Sequence, residues 1–274
     1  MTTELWIVLM SALGAVAGSV ISCVAWRLPQ ILQREALAES CLSPGLPSEY
    51  KNGTVPVNLF FPGSLCPRCQ QRLAFYHNIP LLSWLLLRGR CHYCQQPIGW
   101  HYPLTELAAT ITGGWIAFNC SPGGTALLFA LCGWWLILLS AIDLRSLLLP
   151  DCLTQSLLWL GLLVNLHNTI IPLSDAVAGA AAGYLILWAV NRVFRLISGK
   201  EGLGHGDFKL LAALGAWCGW QPLPWLLLLA ALMGCTAYLL LWLAGRRRYA
   251  QPLPFGPCLA LSGWWILTTL VAML

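Results

Sequence analysis

The sequence predicts an all-α polytopic membrane protein, with about eight transmembrane helices and a metal-binding cytoplasmic loop between the first two. Three observations lead there. Of 274 residues, 58% are hydrophobic and only 9% are charged, whereas a soluble domain carries about 25% charged residues. Apolar stretches recur along the chain, several close to the roughly 20 residues a helix needs to cross a bilayer. The basic residues fall in alternate connections between these stretches. Nothing alternates apolar and polar over successive strands, as a membrane β-barrel would, and an open sheet cannot span lipid because its edges stay unpaired.

The first apolar run, Leu5–Trp26, starts almost at the N-terminus. Glu4 is the only charge before it, and the run is too long for the core of a signal peptide. It reads as a retained first span, residues 1–26 forming one unit. Residues 27–103 form the only sizeable polar stretch, in which Leu42–Leu59 is rich in Pro, Ser, Gly and Asn and reads as irregular linker. The remaining spans are expected at Leu104–Phe118, Thr125–Ile142, Leu153–Ile171, Ala176–Phe194, Leu210–Trp220, Leu223–Leu243 and Phe255–Leu274. They make residues 104–274 a seven-helix membrane domain. The sixth span is short and stops at Gln221-Pro222.

Charge fixes the orientation. Arg27, Arg34, Lys51, Arg68, Arg72, Arg88 and Arg90 lie between spans one and two. Arg145 lies between three and four, and Arg192, Arg195, Lys200 and Lys209 flank the connection between five and six. Arg246, Arg247 and Arg248 lie between seven and eight, which completes the 15 Lys and Arg. All of them fall on one side of an eight-span arrangement, so the positive-inside rule places these connections in the cytoplasm and both termini outside. The net charge of +5 then follows from topology and calls for no nucleic-acid partner.

Of twelve cysteines, eight are scattered, mostly in or near apolar spans, where Cys behaves as a small hydrophobe. The other four form two C-x-x-C units, Cys66-Pro67-Arg68-Cys69 and Cys91-His92-Tyr93-Cys94. Two such units at this separation read as a tetrathiolate zinc site. Two tight turns complete a tetrahedron, leave no position open for water, and so make the metal structural. A reducing cytoplasm argues against two disulfides. A redox motif or an iron–sulfur cluster has no supporting context, and His92 is a spare candidate ligand.

The acidic residues mostly have ordinary explanations. Asp151 and Asp175 precede apolar runs and suit N-caps, and Glu106 suits the positive end of the second span. Asp143 is different. It follows eighteen uncharged residues at the C-terminal end of a span, where the helix dipole disfavours a negative charge. Asp207 stands in Gly204-His205-Gly206-Asp207, at the edge of the sixth apolar run. Gly204 and Gly206 would permit close backbone approach, and so could let an extended peptide lie beside Asp207. Each aspartate alone has a bland reading, Asp143 as partner of Arg145 and Asp207 as helix cap. Together, on one predicted membrane face, they are the minimum kit of an aspartic protease. Neighbouring carboxylates cannot both ionise cheaply, so one keeps a proton. The charged one can activate water and the protonated one can polarise a carbonyl.

These residues resemble the type IV prepilin peptidase family, the leader peptidase/N-methyltransferases, over nearly the whole chain. Leu65-Cys66-Pro67-Arg68-Cys69, Asn78-Ile79-Pro80-Leu81-Leu82-Ser83-Trp84 and Arg88-Gly89-Arg90-Cys91 look like that family's zinc loop. Tyr102-Pro103 with Glu106 looks like the opening of its second span. Ile142-Asp143 with Leu149-Pro150-Asp151, and the segment from Lys200 to Leu211, look like its two catalytic segments. The resemblance implies Asp143 and Asp207 as the catalytic pair and Asp151 as non-catalytic. It implies cleavage of leader peptides from type IV prepilins or type II secretion pseudopilins at the cytoplasmic face of a bacterial inner membrane. It also implies methylation of the new N-terminus from S-adenosylmethionine. Ser22 stands where the family usually has Asn, and His77 where an acidic residue is usual. Both lie in or beside the half associated with methylation, and no glycine-rich fingerprint marks where S-adenosylmethionine would sit.

Two other classes compete. A transporter with a regulatory zinc domain would place polar groups at mid-depth and often show inverted repeats, but the spans are nearly charge-free and no repeat is visible. A membrane-tethered zinc ribbon for nucleic acid would need a dense basic patch, which the loop lacks.

Overall fold

The computed structural model describes residues 2–41, 59, 66, 69, 71–74, 80–199, 202–245 and 253–271. Most of the expected linker, together with His77-Asn78-Ile79, Lys200-Glu201 and Arg246–Arg248, lies outside the described residues. Among the described residues, regular structure is helical: α1 (Thr3–Cys41), α2 (Leu82–Leu86), α3 (His101–Asn119), α4 (Gly124–Ser146), α5 (Asp151–Val164), α6 (Leu173–Ser198), α7 (His205–Cys218), α8 (Leu223–Leu243) and α9 (Gly256–Val271). Four of these, α1, α4, α6 and α8, are long and apolar enough to cross a membrane. The chain is thus a polytopic membrane protein, and among the described residues its regular elements are all helices. The helices α3, α5, α7 and α9 match the other expected spans but hold 19, 14, 14 and 16 residues. At 1.5 Å per residue they run roughly 20–30 Å.

The chain divides into two compact units, Met1–Ala130 and Leu131–Leu274. In the first, α1 packs along α3. The hydroxyls of Ser22 and Thr105 are hydrogen-bonded to one another between the two helices, and the Trp6 indole donates to the Cys120 carbonyl at 3.2 Å. Helix α1 does not stop at Trp26. It runs through Pro29 to Cys41, so the first apolar run and the start of the polar stretch share one helix. Arg27 is buried within it and donates to the Leu59 carbonyl at 3.1 Å.

In the second unit α7 is the buried helix, clasped by α5, α6 and α9. Of its residues from Asp207 to Cys218, all but Lys209 are buried. Gly179 on α6 and Gly215 on α7 face each other so closely that a Cβ on either would strike the other's carbonyl oxygen. One turn on, a Cβ at Gly183 would come within 2.7 Å of the Leu211 carbonyl oxygen. Small residues at this four-residue spacing are how helices approach in lipid, where association rests on packing rather than on the hydrophobic effect. The Trp217 indole donates to the Leu157 carbonyl at 3.0 Å and ties α7 to α5.

Two sequence expectations are corrected. The span expected over Leu153–Ile171 ends at Val164, because the fully buried Asn165 closes the helix. Its amide nitrogen donates to the carbonyls of Gly161 and Ala216, and its oxygen accepts from the N–H groups of Ile170 and Ile171. This satisfied amide turns the chain, and α6 begins after Pro172. The aspartates read as N-caps do not cap. Pro150 and Pro172 occupy the cap positions, and Asp151 and Asp175 lie inside the first turns. Asp151 pairs with Lys209 at 2.6 Å and Asp175 accepts from the Gln221 amide at 2.9 Å.

The α6–α7 crossing yields a prediction. Gly179→Leu should lower stability by about 2 kcal/mol or more through overpacking, read as a fall in the thermal midpoint of the detergent-purified protein. Gly124→Ala, with nothing within 4 Å of the added carbon, should stay within about 0.5 kcal/mol.

Candidate active site and metal centre

The carboxylates of Asp143 and Asp207 come from different helices of the same unit. Asp143 sits in the last turn of α4 and is 5% exposed; Asp207 sits in the first turn of α7 and is 8% exposed. Their charges act on one another, and both act on the thiol of Cys258 in the first turn of α9. Asp207 does not serve as the cap of its helix. The cap position is Gly204, and the Asp207 N–H donates to the Gly204 carbonyl at 3.2 Å.

The position of Asp143 has a compensation that the sequence does not reveal. A carboxylate at a helix C-terminus opposes that helix's dipole. Here Oδ2 accepts the N–H of Gly256, the first residue of α9, at 2.9 Å, so the positive end of another helix answers the negative end of its own. Gly256 is needed for this approach, since a Cβ there would lie 2.7 Å from the same oxygen.

The two aspartates are held by the chain around them. Leu147, just past α4, adopts φ 53, a left-handed conformation that costs a bulky residue about 1–3 kcal/mol. It turns the chain so that Leu149 lies against Gly206, where a Cβ would come within 2.6 Å of the leucine Cβ. Gly206 therefore packs the segment before Asp207 onto the segment after Asp143. Gly204 differs: its φ of −70 suits any residue, and an added Cβ would meet only the Asp207 Oδ2, at an ordinary 3.5 Å. Ahead of it, the buried Asn191 of α6 accepts from the N–H groups of Gly202 and Leu203 at 3.1 and 3.2 Å. Lys209 and Asp151 link the starts of α7 and α5, an exposed pair worth at most about 1 kcal/mol. Sequence reasoning missed Asn191 and Gly256, and quoted Leu149 only as part of a resembling segment, without its contact to Gly206.

In the other unit the thiols of Cys66, Cys69, Cys91 and Cys94 all lie within 4.8 Å of one another, and His92 is not among the converging donors. Both knuckles close alike, with the Cys66 N–H on the Gln71 carbonyl and the Cys91 N–H on the Gln96 carbonyl. The Cys66 and Cys94 sulfurs are 3.8 Å apart. A tetrahedron of 2.3 Å metal–sulfur bonds has an edge of about 3.8 Å, so the four can hold one metal ion. The backbone N–H of Gln96 acts to lower the Cys94 thiol, but burial and the three neighbouring thiols outweigh it and push it up to about 11. A bound dication reverses that balance by stabilising thiolates. Glu106 steadies the same unit by accepting the Leu81 N–H at 2.8 Å, which joins α3 to the turn before α2.

Four helices long and apolar enough to cross a membrane, two buried interacting carboxylates and a four-thiol cluster define the class as an integral membrane protein. Comparison with known proteins makes the class specific. The model of the Type IV leader peptidase family matches residues 130–239, and that of the Bacterial Peptidase A24 N-terminal domain matches residues 12–120. The first segment holds both aspartates and the second all four cysteines. The chain is 48% identical to the prepilin leader peptidase/N-methyltransferase of Dickeya chrysanthemi, over 95% of this chain and 91% of that protein. It is 49% identical to that of Aeromonas hydrophila over 90% and 85%, and 44% identical to that of Pseudomonas aeruginosa over 92% and 86%. No solved structure matches. The chain belongs to the prepilin leader peptidase/N-methyltransferase family.

The knuckle predicts one metal ion per chain in the purified protein. Cys66→Ser should drop metal content well below one and expose the loop to protease, with the apolar helices still membrane-inserted. Unchanged metal content in that variant would contradict the four-thiol site.

Proposed function

We propose that this chain is a membrane aspartic endopeptidase that removes the leader from type IV prepilins or type II secretion pseudopilins, and that Asp143 and Asp207 are its catalytic residues. The burial of two interacting carboxylates, one from α4 and one from α7, carries this reading. Asp143 also joins α4 to α9 through the Gly256 N–H, and a pair of carboxylates that shares one proton can do general acid–base work. With Oδ2 of Asp143 held by Gly256 N–H, its Oδ1 is left for water. The charged carboxylate takes a proton from that water as it attacks the scissile carbonyl. The protonated carboxyl polarises the carbonyl oxygen and later delivers a proton to the departing amine. Gly204, whose bare face the fold itself does not fill, leaves room for an extended leader peptide beside Asp207.

The family relatives are named for N-methyl transfer as well, and S-adenosylmethionine would supply a methyl group to the amine that leader removal exposes. Zinc is the metal proposed for Cys66, Cys69, Cys91 and Cys94, in a structural role, because four thiolates leave no open position. The domain reading is a first span over residues 1–26, a zinc-bearing loop over 27–103 and a seven-helix membrane domain over 104–274. Eight spans with the basic connections in the cytoplasm put both aspartates at the cytoplasmic face of a bacterial inner membrane. No observation favours the transporter reading.

Intact-mass analysis of a prepilin co-expressed with the full chain tests the proposal. The wild-type chain should yield pilin that lacks its leader and carries one added methyl group. Asp143→Asn and Asp207→Asn should each lower leader removal at least about a hundredfold while the protein stays folded. Efficient processing by either variant would refute the dyad.

A further inference from the structure

Helix α7 carries Asp207 in its first turn, and that turn has no side chain to cap it, because the cap residue is Gly204. The first N–H groups of a helix lack partners within it, and helix ends fray unless something anchors them. The close backbone contacts between α7 and α6 begin only at Leu211, a turn beyond Asp207. On its α5 side the start of α7 meets Leu149 and Asp151. We propose that Asn191 of α6 is the positioning residue on the other side: it stands in for the missing cap by anchoring the two residues before Gly204, and so sets where the Asp207 carboxyl meets Asp143.

Asn191 is 8% exposed. An amide buried on an apolar helix is costly unless its hydrogen bonds are made. Its oxygen accepts the Gly202 N–H at 3.1 Å and the Leu203 N–H at 3.2 Å. Gly202 is exposed, so water could satisfy its N–H equally well; what the buried acceptor adds is a fixed place. Phe194, three residues further along α6, lies on the same helix face and closes the seat. A Cβ at Gly202 would lie 2.6 Å from its ring. From Leu203 the chain runs directly into the cap residue, whose carbonyl accepts the Asp207 N–H at 3.2 Å. One short path of hydrogen bonds and backbone therefore leads from α6 to Asp207.

A Ser, Thr, Asp or Asn at position 204 would cap the helix directly. Its Cβ would start 3.5 Å from the Asp207 Oδ2 and occupy the bare face proposed for the leader peptide. Anchoring the segment from α6 instead keeps that face open. Asn191 has this task only if Asp207 is catalytic, so the proposal rests on the peptidase reading.

Steady-state leader cleavage by the detergent-purified full chain tests it, with thermal midpoints measured on the same preparations. Asn191→Leu removes the accepting oxygen at similar size, and Asn191→Asp keeps it. The Leu variant should lose at least about tenfold in kcat, as expected for a misplaced catalytic group. Its KM should stay within about twofold and its thermal midpoint near that of the wild type, and the Asp variant should recover most of the lost kcat. Should the Leu variant not fold, Asn191→Ser, whose hydroxyl is too short to reach both N–H groups, is compared with Asn191→Asp on the same criteria. A wild-type kcat without the acceptor, a loss confined to KM, or a loss that Asp does not recover overturns the role. Asp207→Asn in the same assay separates the two readings. If it cleaves like the wild type, the dyad fails; if it is inactive while Asn191→Leu cleaves normally, only the role of Asn191 fails.

Discussion

The structure of the second unit is organised around two carboxylates that are buried among apolar helices and act on one another. An isolated buried charge costs several kcal/mol even after relaxation, so such a pair persists only if its surroundings answer it. One answer is the N–H of Gly256, which brings the positive end of α9 to Asp143. Another is the opportunity to hold a single proton between the two groups, which removes one charge from the interior. A pair stabilised in this way is also poised to give and take that proton.

Holding the pair together is a problem of helix approach. The buried helix α7 reaches the others by backbone contact, through Gly179, Gly183 and Gly215 on the α6 side. The Trp217 indole on Leu157 fixes it to α5. Gly206 lets the segment before Asp207 rest on Leu149, three residues past the end of the helix that carries Asp143. Asn191 pins Gly202 and Leu203 and so sets where that segment begins. Remote packing and local hydrogen bonds thereby specify one relative placement of two side chains 64 residues apart in sequence.

Much of this was legible in the chain. Hydropathy located the helices, the isolation of Asp143 within an uncharged run marked it out, and C-x-x-C spacing located the thiol tetrad. The parts that were not legible depend on contacts between residues far apart in sequence. Gly256 answers Asp143 across 113 residues, and nothing in its own neighbourhood signals it. Asn191 reads as an ordinary polar residue near a helix end. Asn165 cuts α5 short because its four partners come from α5, the following turn and α7, which no hydropathy window contains. The prolines before α5 and α6 took the cap positions that composition had given to Asp151 and Asp175. Gly204 and Gly206 look equivalent in sequence, yet the fold uses only Gly206 for its own packing.

The central claim is that Asp143 and Asp207 work as one unit. The most direct measurement compares leader-cleavage rates of Asp143→Asn, Asp207→Asn and the double variant on the same purified prepilin. Residues that act as a unit are grossly non-additive. The account predicts that the double variant is no slower than either single variant. Single variants that each keep a substantial rate, with losses that multiply in the double variant, would contradict it.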